Sequence, residues 1–418
     1  MTSSAPGEAF AWIWLPGATA PVVAGRLTAV GAAVEFNYGR SYLERDDAIP
    51  LSLPELPLRR GAIAPLDGLR IAGCIADAGP DAWGQRVIMQ HLLGAGATSA
   101  DPVDLHPLTY LLQSGSDRIG ALDFQASATT YVARDHTSAP LAELLEAADR
   151  VDQRLPLSPA LDRALLHGSS VGGARPKALL AGGERKYIAK FSSTTDSFSV
   201  VKGEFVAMEL ARRAGLDVAP VELATAMGRD VLLVERFDRT PAGGRRAMIS
   251  ALTLLALDEL LARYASYAEL AEIVRRRFAD APGTLRELFA RITFNILVGN
   301  TDDHARNHAA FWDGSALALT PAYDICPQGR AGGEAAQAMA IGPDGYRMSQ
   351  LGGCVRAAPT YLLSEEQARA IIDHQLAVIE AEWDDVCDAG RLTAVDRDYF
   401  WRRQFLNPYA LEGYGRAG

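Results

Sequence analysis

An acid, an amide and a second acid stand at positions 302, 307 and 324 of this chain. Asp302 and Asn307 belong to the run Gly299-Asn300-Thr301-Asp302-Asp303-His304-Ala305-Arg306-Asn307-His308. Seventeen residues further on, Asp324 lies in Leu319-Thr320-Pro321-Ala322-Tyr323-Asp324-Ile325, which reads as the next short strand. One carboxylate to take a proton, with two oxygen donors to hold a divalent metal, is the equipment of phosphoryl transfer. In kinases the first Asp receives the proton of the attacking hydroxyl, and the Asn and the later Asp hold magnesium on the ATP phosphates. Asp302 is therefore expected as the base, and Asn307 and Asp324 as metal ligands. Neither His-Arg-Asp nor Asp-Phe-Gly surrounds them, so the frame is a divergent one.

Other residues fit the same chemistry. Lys190 sits in an apolar strand beside a hairpin, where kinases place the lysine that contacts the phosphates and pairs with a helix Glu. Glu204 is the expected partner and Glu209 the fallback. On its own Lys190 reads as a surface lysine on an edge strand; beside the acid cluster it reads as functional. Gly172-Gly173-Ala174-Arg175-Pro176-Lys177 matches neither Walker A nor Gly-x-Gly-x-x-Gly, yet its glycines and cations suit phosphates. Pro176 removes one backbone N–H from that loop. Val234-Glu235-Arg236-Phe237 reads equally as a hinge offering backbone atoms to adenine and as a strand end with a structural ion pair. His304 and His308, four apart, suggest a zinc pair as a minor alternative, but His-Glu-x-x-His is absent. A Gly-x-Ser-x-Gly elbow is absent too, so a serine hydrolase has no support.

These residues need elements to carry them. Residues 10–15, 20–27 and 32–38 read as strands of a small antiparallel sheet. Residues 80–95 and 107–113 read as helices, and 115–124 as a turn and strand. Residues 125–165 read as two helices around Pro156 and Pro159. The strands 178–180 and 187–191 flank the Gly182-Gly183 turn, and the helix 203–214 ends at Gly215. Residues 218–223 and 231–237 read as strands. Leu285, Leu288, Phe289, Ile292 and Ile296 form the stripe of a helix leading to Asn300. Ile372, Leu376, Ile379 and Trp383 mark another helix. The Gly- and Ala-rich segment 329–343 reads as a mobile loop. Nucleotide is expected in a cleft between a strand-rich lobe and a helical one.

Bulk properties set limits. The chain has 418 residues, enough for two or three domains. Its 51 acidic and 41 basic residues give a net charge of -10, which argues against direct nucleic-acid binding. Four scattered cysteines without a Cys-x-x-Cys pair point to reduced core thiols. The first residues do not read as a secretion signal and no long apolar run is present, so a cytoplasmic protein without membrane association is expected.

Taken together, these motifs resemble the HipA family of bacterial serine/threonine kinase toxins over nearly the whole chain. The residues that carry the resemblance are 169–177, Val234-Glu235-Arg236-Phe237-Asp238-Arg239, the loop 300–307 and the strand 319–325. Pro80-Asp81-Ala82-Trp83-Gly84 and Asp117-Arg118-Ile119-Gly120-Ala121-Leu122 look like the family's N-terminal domain. The resemblance implies an α+β fold: a small antiparallel sheet with helices in 1–125, linker helices in 126–165, and a bilobal kinase-like domain in 166–418. Its N-lobe would span about 166–240 and its mostly helical C-lobe about 241–418. ATP and magnesium are the implied cofactors. Gly172, Gly173, Ala174, Arg175, Pro176 and Lys177 would form the phosphate loop, with Lys190 and Glu204 beside it. Glu235, Arg236 and Phe237 would hold adenine by backbone atoms, and His304, Ala305, Arg306, Asn307, Tyr323 and Asp324 would complete the pocket. Ser170, with Ser169 as alternative, matches the family's autophosphorylated serine, making the chain a phosphoprotein. The implied partners are a small helix-turn-helix, HipB-like antitoxin, through which alone the chain would meet DNA, and a protein substrate such as an aminoacyl-tRNA synthetase. A nucleotide-binding pseudokinase acting as a co-repressor scaffold is the alternative.

Overall fold

The computed structural model of the chain describes residues 6–93, 105–134, 139–153, 155, 157–158, 161–162, 165–166, 175–183, 185–192, 196, 198–330 and 333–415. They fall into two compact units. The first draws on 1–195, 225–249 and 311–315, the second on 196–224, 250–310 and 316–418.

The first unit opens with an antiparallel sheet of β1 (Glu8–Ile13), β2 (Val22–Val30), β3 (Ala33–Tyr38) and β4 (Leu122–Gln125), in the order β3-β2-β1-β4. Period-two alternation puts Val34, Phe36 and Tyr38 on one face of β3, where they join Leu27, Phe124 and Ile13 in a buried core. Two helices accompany this sheet, α1 (Ala82–Leu93) and α2 (Pro107–Gln113). A third, α3 (Leu141–Asp152), starts just after Pro140. Beyond α3 the described residues 161–162 and 165–166 are helical as well, in keeping with the two helices expected in 125–165; Pro156 and Pro159 lie outside the described residues. Three further strands follow: β5 (Lys177–Gly182), β6 (Arg185–Phe191) and β7 (Arg229–Glu235). β6 lies between the other two and is antiparallel to both. Trp83 of α1 is fully buried and its indole N–H donates to Lys177 O at 3.0 Å. The Pro80–Gly84 motif therefore fastens a helix to the first residue of β5.

The second unit is mostly helical: α4 (Val200–Arg213), α5 (Tyr267–Arg277), α6 (Ala281–Leu297), α7 (Leu351–Ala357) and α8 (Glu365–Ala389). Asp280 caps α6 by accepting from Gly283 N at 3.0 Å, and Pro282 occupies its first turn, where no N–H is missed. The expected stripe of Leu285, Leu288, Phe289, Ile292 and Ile296 is buried. Each such side chain contributes about 1.5–3 kcal/mol on burial. α8 starts with a capping box between Ser364 and Gln367 and buries Ile372, Leu376, Ile379 and Trp383. Thr293 of α6 donates to Gln375 of α8 at 2.9 Å inside this core. Gly299 then ends the helical path at φ +71°, and a Cβ there would lie 2.7 Å from Gln404 O. Only glycine meets both conditions.

The segment expected as a mobile loop is built differently in its described part. Met339 and Ile341 are fully buried, Gln337 N donates to Arg347 O at 2.7 Å and Ala338 N donates to Thr301 O at 3.1 Å. Its small residues allow close packing, and the two larger apolar ones anchor it. Cys74, Cys326, Cys354 and Cys387 are buried free thiols. Among the described residues no helix is long and apolar enough to cross a membrane.

Candidate active site

In the second unit α6 delivers the chain to the loop that holds Asp302. Asp302 is exposed, whereas Asp303 beside it is buried. A single turn of 3-10 helix, Ala305–Asn307, folds Asn307 back so that its Nδ2 donates to Asp302 O at 3.3 Å. With its amide nitrogen so used, Asn307 has Oδ1 to offer a metal. Asp324 lies beyond the short strand Leu317–Leu319, in irregular backbone rather than on the strand expected for 319–325, and Tyr323 O–H donates to Arg306 O at 2.7 Å, tying that segment to this loop. Arg306 also pairs with Glu259. Asp324 holds φ +61°, an uncommon conformation for a residue other than glycine. Partial burial raises the Asp302 pKa; His304 opposes this, while the Asp324 and Asp303 charges add to it. The loop carries Asp302, His304, Ala305, Arg306 and Asn307, and the Tyr323–Arg306 bond brings the segment with Tyr323 and Asp324 against it.

The buried Asp303 is the anchor of the loop. Its Oδ2 accepts from Tyr267 O–H on α5, from Asn295 Nδ2 on α6 at 2.7 Å and from His308 Nε2 at 3.0 Å. Burial alone would raise its pKa; His308 and the Tyr267 hydroxyl outweigh that and hold it below the ordinary value. His308 is thus engaged with a carboxylate, and its buried Nδ1 has no hydrogen-bond partner among the described residues. Among the described residues no group of three His, Cys, Asp or Glu is placed to hold a metal ion. The zinc-pair alternative has no support in this geometry. Sequence reading passed over Tyr267 and Asn295. The signal for Asn295 was available, since an amide inside Phe294-Asn295-Ile296, on a helix with an apolar core face, needs a buried partner.

In the first unit Lys177 and Lys190 are direct register partners of β5 and β6. Opposed residues of an antiparallel pair share a face, with Cβ atoms about 4.5–5.5 Å apart. By the same register Leu179 faces Ile188, Ile188 faces Val234 and Lys190 faces Leu232. One sheet face therefore joins two ammonium groups to an apolar strip, a combination suited to a nucleotide. Pro176 is buried at the head of β5, and its carbonyl accepts from Phe191 N at 3.1 Å. Arg175 is exposed. Ser169, Ser170, Gly172, Gly173 and Ala174 lie outside the described residues.

The 234–239 stretch shows the structural ion pair that its letters allowed. Arg236 is fully buried and bonds both Asp117 and Asp238, and its N–H is spent on Lys186 O at 2.8 Å. Glu235 pairs with Arg185 at 3.3 Å, and Phe237 packs edge-on against Phe311. In the second unit Glu204 of α4 is buried, while Glu209 is taken by Arg212 and Arg213.

Two family models match. The HipA N-terminal domain covers residues 14–125, and the HipA-like C-terminal domain covers residues 169–383. The chain belongs to the HipA family. Among its relatives, a protein named putative kinase Y4mE from Sinorhizobium fredii is 28% identical over 70% of this chain and 71% of its own length. The serine/threonine-protein kinase toxin HipA of Shewanella oneidensis is 27% identical over 37% of this chain and 42% of its own length. A solved complex of HipA, HipB and operator DNA from Shewanella oneidensis contains a chain with a TM-score of 0.70 to this one. The two are 19% identical, and the match covers 96% of this chain and 97% of that one. At that identity the likeness establishes the fold: a mixed α/β HipA-like architecture with an N-terminal antiparallel sheet and a helical C-terminal region.

Proposed function

We propose that this chain is an ATP-dependent serine/threonine protein kinase acting as the toxin of a toxin–antitoxin pair. The observation that carries the reading is the loop in which Asp302 stands exposed while Asn307 and Asp324 present hard oxygen donors beside it. Two such donors, completed by phosphate oxygens, suit magnesium, which is commonly held by one or two protein groups and the nucleotide. When bound, magnesium neutralises charge developing on the phosphate oxygens. Lys177 and Lys190 suit the phosphates, and the strip of Leu179, Ile188 and Val234 suits the adenine.

In this mechanism a serine hydroxyl gives its proton to Asp302 as its oxygen bonds to the γ-phosphorus. The bond from that phosphorus to the β–γ bridging oxygen breaks, and its electron pair leaves with ADP. The raised pKa of Asp302 suits a proton acceptor. The protein substrate is an aminoacyl-tRNA synthetase, and Ser170 is the autophosphorylated serine, both by family likeness. The HipB seen with the structural relative supports a small DNA-binding antitoxin as partner, through which this acidic chain meets operator DNA.

Intact mass after incubation with ATP and magnesium tests the reading. Wild type gains one phosphate; Asp302→Ala and Asp324→Ala gain none, with unchanged circular dichroism; Ser170→Ala gains none if Ser170 is the acceptor. A gain in Ser170→Ala moves the acceptor to Ser169. Retained transfer in both Asp variants overturns the assignment. Nucleotide binding without transfer in an unphosphorylated wild type would establish the pseudokinase instead.

A further inference from the structure

The base and the metal ligand of the proposed mechanism sit on two segments separated in sequence, and one buried amide touches the supports of both. Asn295 is 3% exposed on α6. Its Nδ2 donates to Asp303 Oδ2 at 2.7 Å, and its Oδ1 accepts from Asn300 Nδ2 at 2.9 Å. Asn300 Nδ2 in turn reaches Asp324 O at 3.4 Å, and Asn300 N donates to Asn295 O at 2.8 Å. The chain of contacts runs from Asp303, the immediate neighbour of Asp302, through Asn295 and Asn300 to the backbone of Asp324. Asp324 needs such support, because its left-handed backbone persists only where its surroundings impose it.

We propose that Asn295 is a positioning residue that sets the spacing between Asp302 and the metal ligand Asp324, using its donor toward one support and its acceptor toward the other. Only an amide serves both ends. A carboxylate at 295 would oppose Asp303 oxygen to oxygen, and an apolar side chain would leave both ends unpaired. Asn295 meets neither substrate nor metal; it acts through Asp303 and Asn300. The inference rests on the kinase reading of Asp302 and Asp324.

The test uses the full-length chain and two readouts. One is kcat and KM for ATP in phosphate transfer. The other is the gain in ATP affinity that magnesium produces, from calorimetry with magnesium and with chelator. Asn295→Leu is expected to bind ATP in chelator as wild type does, but to lose about 10- to 100-fold in the magnesium-dependent gain and in kcat, with little change in KM. Asn295→Asp is expected to be at least as impaired. Asn300→Ala cuts the link toward Asp324 while leaving the Asn295–Asp303 bond, and is expected to lose the magnesium-dependent gain and kcat to a similar extent.

A purely structural role would lower the melting temperature of Asn295→Leu and leave the magnesium gain intact. That result, or wild-type kcat in Asn295→Leu, overturns the proposal. If the Asn295 variants do not fold, Asn300→Ala decides: folded and with the full magnesium gain, it refutes the idea. Asp302→Ala and Asp324→Ala run alongside. Activity in those variants sinks the kinase reading itself, whereas dead Asp variants beside a fully active Asn295→Leu sink only this inference.

Discussion

Asp117 and Asp238 are buried among cations, whereas Asp303 is buried among neutral donors and one histidine. In the first unit Asp117 takes Lys186 Nζ at 2.8 Å, Arg239 NH2 at 2.7 Å and Arg236 NH1 at 3.1 Å. Asp238 takes Arg236 and Arg239, each at 2.8 Å, and Gly120 N at 2.7 Å. In the second unit the donors to Asp303 are a phenol, an amide and an imidazole. The difference suits the two places. Paired full charges lock residues 117–120 to the end of β7, where nothing need change. A phenol, an amide and an imidazole hold the catalytic loop without placing a guanidinium beside Asp302, which must take up a proton.

The widest gap between the two clusters should appear on removing a cation. Arg236→Ala takes a full charge from two buried carboxylates and a donor from the carbonyls of Asp117 and Arg118, leaving Asp117 with Lys186 and Arg239 and Asp238 with Arg239 and Gly120 N. Breaking a buried pair in this way costs about 3–5 kcal/mol. Guanidinium unfolding monitored by tryptophan fluorescence should show that loss. A change below about 1 kcal/mol would mean that water already screens the cluster.

Acid should separate the clusters next. Burial alone would raise the carboxyl pKa values of Asp117 and Asp238, but the Arg236 and Arg239 charges win. Asp238 falls to about 2 and Asp117 falls well below the ordinary range. A depressed carboxylate stabilises the fold above its unfolded pKa, about 3.9, and that stability drains away as pH falls through the folded value. Asp303 is lowered as well, so it contributes with the same sign. Melting temperatures should therefore drop between about pH 4 and pH 2. Arg236→Ala should flatten this slope in part, because Asp117 and Asp238 lose the largest of the charges that depress them and keep Arg239. An unchanged slope in that variant would assign the acid sensitivity elsewhere.

The strand face of the first unit offers a contrast of function. Lys177→Met or Lys190→Met removes one ammonium from a pair that faces across β5 and β6. A hydrogen bond to a charged phosphate is worth about 1.5–3 kcal/mol, so ATP affinity should fall about ten- to a hundredfold. Calorimetric titration with ATP measures it. Wild-type affinity in both variants would remove this face from the nucleotide site.

Much of this was legible in the letters, and what was missed has a common cause. The stripe on α6, the β5–β6 hairpin around Gly182 and the 302–307–324 set follow from periodicity and spacing, which are local properties. Phe237 and Arg236 show the limit: a strand end reads the same whether its Arg points to ligand or into the core, and only Asp117, over a hundred residues earlier, decides. In the described part of 329–343 Gly and Ala signal looseness in isolation, while the burial of Met339 and Ile341 and the bond from Ala338 N to Thr301 O depend on residues outside the segment. Tyr267 and Asn295 escaped notice because their partner, Asp303, is fixed by a loop whose path no local pattern specifies. Asp303, in sequence one more acid next to Asp302, is in the structure the residue that anchors the loop.

Tyr267→Phe gives the mildest test of the comparison. The ring is fully buried, and its hydroxyl donates to Asp303 Oδ2. Phenylalanine keeps the packing, including the edge-on contact with the His308 ring at 5.5 Å. The carboxylate keeps Asn295 and His308 as donors, so it is under-satisfied rather than stranded. The loss should then be about 1–2 kcal/mol, near that of one hydrogen bond to a charged acceptor and well short of the Arg236 effect. Thermal unfolding of the variant measures the cost, and its kcat shows whether the loop has moved. A penalty as large as that of Arg236→Ala would show that Asp303 depends on the phenol as Asp117 and Asp238 depend on their cations. The distinction between a locked joint and a held loop would then fail.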